Sequence, residues 1–238
     1  MNLKKLAVVA SLSFALISTL GPTRLIQAQG DSNPYPTMAP LEQYLMDRDA
    51  EIAMARSAAP ESISRDATVL VLGRHGYETA VEGKNGFVCS VDRSWMSGFD
   101  EKGFWNPKIR GVLCYNPPAA RSIAPIASLR TRLVLDGLSK EQIIARIKAA
   151  YAKNELPALE PGSMAYMLSK QAWLSDREPH SLAHLMFYTP LMDGANWGAN
   201  KPDTPVALLQ QFHGAPEPIN VFIVPTGKWS DGTSAPVM

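Results

Sequence analysis

Apolar positions change their spacing several times along this chain, and each change marks an element. Leu6 to Leu20 is an unbroken uncharged run of fifteen residues behind Lys4 and Lys5. Further on, Leu41, Leu45 and Ile52, with Tyr44 and Met46 nearby, trace an approximate 3.6-residue stripe. That stripe predicts a helix over 41–58, with Asp47, Arg48, Asp49 and Glu51 on its wet face and Pro60 as its stop. Ala67 to Leu72 is a short run of strand formers, and Gly73 and Gly76 flank a turn. From Tyr77 to Glu82 apolar and polar residues alternate with period two, as on a half-buried strand. Lys84-Asn85-Gly86 is a turn and Phe87 to Asp92 a further strand, so 67–92 is expected to fold as a three-stranded antiparallel meander. Ile109 to Tyr115 is another short strand, beyond an aromatic loop over 94–108.

The period then returns to helical. Asn116 and Pro117 read as a cap and first turn, and Pro125 must kink this helix or open its second half. Ile126, Leu129 and Leu133 lie on one side, and Gly137 ends the helix. Ser139 and Gln142 form a capping-box pattern ahead of a helix carrying Ile143, Ile144, Ile147 and Tyr151. Short runs at 163–169, 184–189 and 219–224 are strands. The stretch 190–218 holds five prolines and reads as loop, with a helical turn at 206–212. The fold expected is α+β: a mostly antiparallel sheet, made of an N-terminal meander and C-terminal strands, packed against an N-terminal helix and a central helix pair.

The first apolar run is too short for a spanning helix, which needs about 20 residues. Gly21-Pro22 and Arg24 end it, and small residues offer cleavage after Ala28 or after Gly21. Residues 1–28 therefore read as a secretory signal peptide, 29–39 as a flexible leader and 40–238 as a single domain. An uncleaved N-terminal anchor is the alternative. No cysteine precedes Cys89, so no lipid-bearing cysteine would head the mature chain. The expected location is periplasmic or extracellular.

Export changes the charge picture. The 238-residue chain carries 23 basic and 22 acidic residues, a net of +1. Cleavage removes Lys4, Lys5 and Arg24 and no acid, leaving 20 basic against 22 acidic residues, a net of −2. Such a balance offers phosphate backbones no attraction, which argues against a nucleic-acid partner. Once the signal is cleaved, no integral membrane segment is expected. Export also gives the two cysteines an oxidising compartment. Cys89 and Cys114 are expected to form a disulfide, since neither belongs to a C-x-x-C pair and Cys89 lies among apolar strand residues.

Familiar catalytic signatures are missing: no G-x-S-x-G elbow, no Ser-x-x-Lys, no H-E-x-x-H and no Walker-type loop. Three candidate sites remain. His180, His184 and Asp176, with Asp193 or His213 as further ligands, have the donor chemistry for zinc or another divalent metal, the one cofactor the sequence suggests. An extended chain would place the two histidines about 13 Å apart, so this needs a turn between them. The second candidate is metal-free acid–base catalysis, with His184 as base and Glu178 or Asp193 orienting it. In the third, Trp95, Trp105 and Trp197, in loops with Phe99, Phe104 and Trp229, stack on a glycan or another small molecule. Core packing is the competing reading of those aromatics. The sequence favours a non-catalytic small-molecule or glycan binding, envelope-associated role. A hydrolase-like enzyme built on 176–193, with or without a metal, is the alternative.

Overall fold

The computed structural model describes residues 33–209 and 216–236. The signal segment 1–28, the first residues of the leader and His213 lie outside them. The fold is α+β, with eight described strands in one mixed, mostly antiparallel sheet of order β2-β1-β3-β4-β5-β6-β8-β7. In chain order these are β1 (Thr68–Gly73), β2 (Gly76–Val81), β3 (Val88–Asp92), β4 (Gly111–Tyr115), β5 (Met164–Met167), β6 (His184–Pro190), β7 (Ala207–Leu209) and β8 (Ile219–Pro225). The helices are α1 (Arg48–Arg56), α2 (Glu61–Ser64), α3 (Pro117–Ser122), α4 (Ala124–Leu135) and α5 (Lys140–Ala152).

Gly73 and Gly76 pair at the mouth of the β1–β2 hairpin, as their spacing suggests. The expected antiparallel meander is corrected at β3, which pairs with β1 in parallel, on the side away from β2. The connection must span two inter-strand spacings of about 4.8 Å each, which a two-residue hairpin cannot do. Instead it passes beneath the start of β1: the Asp66 carbonyl accepts from the N–H groups of Lys84 and Asn85, and Thr68 Oγ1 accepts from Gly83 N–H. Gly86 turns the chain upward at φ 77°, a value that favours glycine. β3 and β4 are then antiparallel with Cys89 opposite Cys114, and the two cysteines are joined as a disulfide.

The helix expected over 41–58 is shorter. Leu41–Gln43 is a single 3-10 turn, and α1 starts at Arg48 because Asp47 caps it, accepting from Ala50 N–H at 3.0 Å. Glu51 is not on a wet face but fully buried. The helical turn expected at 206–212 is corrected where it is described: Ala207–Leu209 is the edge strand β7, paired with β8. The central helix pair stands as expected. Asn116 caps α3, Pro125 sits in the first turn of α4, and Ser139 and Gln142 close a full capping box on α5.

Two faces of the sheet collect two cores. Ala55, Ala58 and Ala59 at the end of α1 cover Val69, Val91, Val112 and the disulfide. On the other face, α3 and α4 lie over Leu113, Tyr115, Met167, Met186 and Val221. A third cluster joins α4 and α5 to Tyr44, Trp95, Phe99 and Phe104. No helix among the described residues is long and apolar enough to cross a membrane.

Candidate functional site

Strand alternation builds the site. Leu113 and Tyr115 of β4, His184, Met186 and Tyr188 of β6, and Ile219, Val221 and Ile223 of β8 are each spaced by two, so each set points to one face. Ile123, Ile126 and Arg130 approach that face from the helix layer. Between sheet and helices lies a cavity of about 320 Å³. Its walls are largely aliphatic, with a few charged or titratable groups placed among them: Asp92, Arg93, Arg130, His184 and Glu217.

Each ionisable group has a distinct environment. Asp92, at the end of β3, accepts from the Tyr77 hydroxyl at 3.0 Å and more distantly from Ser90. Burial outweighs those donors and pushes its carboxyl up to about 6. Arg130 is 2% exposed. It donates to the Ser97 carbonyl at 2.9 Å and lies 4.0 Å from the Phe99 ring centroid, a cation–π contact. Burial lowers it to about 10, so it stays charged at neutral pH, and its Nε has no hydrogen-bond partner among the described residues. His184 is buried. The contact of its Nδ1 with the Leu182 carbonyl at 2.7 Å makes that nitrogen the donor, and burial lowers the imidazole below its usual range. Glu217 is 8% exposed, and neither carboxylate oxygen has a hydrogen-bond partner among the described residues. Burial raises its carboxyl, opposed by the charge of Arg130.

The candidate metal and acid–base residues are dispersed. Asp176 is exposed and serves as a hub, accepting from Tyr35 at 2.5 Å, from Asn106 and from the Trp173 indole. His180 stacks on Trp173, contacts the Ser175 carbonyl through Nδ1 and meets Glu178 at 2.6 Å. Asp193 caps a 3-10 turn through Ala195 N–H. Of those candidates only His184 lines the cavity, with neither Glu178 nor Asp193 hydrogen-bonded to it. Among the described residues no three His, Cys, Asp or Glu side chains gather as a metal site.

The aromatic loop is mostly core. Trp95 is fully enclosed and its indole donates to Thr131, so it offers no ring face to a ligand. Phe99 and Phe104 are buried, and Trp105 meets Phe104 edge-on at 4.6 Å. Lys140 donates to the Phe99 carbonyl and lies over the Phe104 ring. The loop thus holds Arg130 at the cavity through Met96, Ser97 and Phe99. Trp197 is 41% exposed, with one ring face stacked on Phe222. Sequence reasoning missed Glu217 because it lies in a proline-rich stretch with no period, and missed Arg130 because it falls within the helical stripe of α4. A signal for the cavity wall was present in the period-two spacing along β6 and β8.

Comparison with known proteins gives no match: no family model, no curated protein and no solved structure aligns significantly with this chain.

Proposed function

We propose that this is an exported protein that binds a small, largely apolar molecule reversibly in the cavity between its sheet and α4, without transforming it. The observation that carries this reading is the aliphatic cavity of about 320 Å³ with, in its wall, a Glu217 carboxylate that has no hydrogen-bond partner among the described residues. Ligand sites combine apolar walls with a few placed polar groups, and volumes from about 300 Å³ upward are usual for them. A sugar would turn most of its hydroxyls toward Leu113, Ile126 and Val221, where they would lose their water without replacement, so an aliphatic or aromatic body suits the walls better. That none of Asp176, Glu178 and Asp193 lines the cavity with His184 speaks for binding over acid–base chemistry. Export is supported by the apolar run behind Lys4 and Lys5 and by the Cys89–Cys114 disulfide, which suits an oxidising compartment.

Calorimetric titration with butylbenzene, which has no polar head, tests the reading. Saturable binding to the protein, abolished by Ile126→Trp, is the expected result. Absence of binding, or equal binding by the filled variant, overturns it.

A further inference from the structure

We infer that the cavity takes a ligand whose apolar body, of about a dozen heavy atoms, ends in a hydrogen-bond donor, an amine or a hydroxyl, seated on the Glu217 carboxyl. This rests on the binding function proposed above and adds the chemistry of the ligand's head. The size follows from volume. An apolar cavity of about 150 Å³ takes one benzene ring, so one of about 320 Å³ has room for roughly twice as many atoms.

The head follows from what the cavity leaves unanswered. Buried polar atoms almost always have partners, and one without a partner in an otherwise apolar wall marks a place where something is missing. Among the described residues both oxygens of Glu217 are such atoms, on a residue more than nine-tenths buried. They are acceptors when ionised, and only a donor completes them.

An anionic head is disfavoured by the charges around it. Asp92 and Glu217 are two acids in one cavity with two guanidiniums, Arg93 and Arg130. Both are already engaged: Arg93 is paired with Glu51, and the terminal nitrogens of Arg130 donate to the Met96 and Ser97 carbonyls, with Phe99 over it. A ligand carboxylate would therefore meet two like charges beside two cations that already have partners. Arg130 Nε, the other unpartnered polar atom in the wall, is a donor that a hydroxyl oxygen satisfies and an ammonium does not. Alcohol and amine thus share the bond to Glu217 and differ at Arg130.

Titration at pH 7 with octan-1-ol, octylamine and octanoate, which share one chain length, tests the inference, with butylbenzene as the headless control. The wild-type protein is expected to bind octanol and octylamine about tenfold or more tightly than octanoate. Glu217→Leu should bring the three within about twofold of one another while butylbenzene still binds, which also shows that the variant is folded. Glu217→Gln keeps an acceptor without the charge. It should weaken octylamine about tenfold and octanol by less, separating the two heads. Octanoate binding as tightly as the alcohol and amine, or a preference that persists in Glu217→Leu, overturns the inference and leaves the cavity reading standing. Failure of butylbenzene to bind overturns both.

Discussion

The Arg93 guanidinium donates to Glu51 Oε1 at 2.9 Å, and neither side chain is more than 1% exposed. Arg93 also donates to the carbonyls of Tyr44 and Val91, and Glu51 accepts from the Leu72 N–H. One ion pair thereby ties α1, β1, the end of β3 and the segment before α1 together, at the border between two core clusters.

Removing one member of that pair should be costly, because the other is left charged in a dry interior. Glu51→Ala is expected to lose about 3–5 kcal/mol of stability. Urea unfolding checks this through the midpoint at unchanged slope. A loss under about 1 kcal/mol would be the behaviour of an exposed pair and would contradict the burial of this one.

The Cys89–Cys114 bond joins directly opposed residues of β3 and β4 across a separation of 25 residues. Loop-closure entropy predicts that it contributes about 3.5 kcal/mol. Unfolding of reduced against oxidised protein measures this without a substitution at either position, and coincident midpoints would show that the bond adds nothing.

Asp92 makes stability depend on pH in a known direction. Its carboxyl titrates near 6 in the folded protein, above the value of about 3.9 expected of an unfolded chain. The folded state therefore holds the proton more tightly. The stabilisation from Asp92 is complete below about pH 4 and is lost as pH rises through about 6. A shift of about two units corresponds to roughly 3 kcal/mol. Asp92→Asn keeps an acceptor for Tyr77 and removes this contribution, so its stability relative to wild type should rise between pH 4 and pH 7. His184, lowered by burial, acts in the opposite sense, and comparing the two proteins at each pH cancels it. A difference that stays constant across that range would mean Asp92 is not buried as described.

Local signals in the chain carried much of this fold. Asn116, Ser139 and Gln142 announce helix ends by side chains that bond their own backbone, and Gly137 ends α4 at φ 76°. Such features need no distant partner, so they are legible from sequence. The parallel return of β3 is not, since it depends on which side of β1 the chain passes, and the contacts that hold it there, at Asp66 and Thr68, form only once the chain has returned. Glu51 looks solvated because its burial requires Arg93, 42 residues away. The same limit hides the site. His184 was visible as a histidine beginning a strand, but Asp92, Arg130 and Glu217 meet only when β3, α4 and the approach to β8 are folded together. The polar stretch 176–193 is dense in donor and acceptor chemistry, but His180, His184 and Asp193 bond to nearby backbone and Asp176 ties down Tyr35 and Asn106.

Glu217 should weaken the protein that carries it. Its buried carboxylate forfeits hydration, no hydrogen bond from another described residue replaces it, and the charge of Arg130 offsets the loss only in part, a cost of about 1–3 kcal/mol. Glu217→Leu removes that cost and adds aliphatic surface to an aliphatic wall. The variant is therefore expected to be more stable than wild type by about 1–3 kcal/mol at pH 8. The gain should shrink toward pH 4, because burial raises the Glu217 carboxyl and the protonated form is less penalised there. Urea unfolding at the two pH values checks both size and direction. If Glu217→Leu is less stable than wild type at pH 8, the carboxylate is holding the fold together and is not free for a ligand. A stabilised variant that has lost its preference among ligand heads would mark Glu217 as a group kept for binding at the expense of folding, a trade common at sites whose polar groups await a partner.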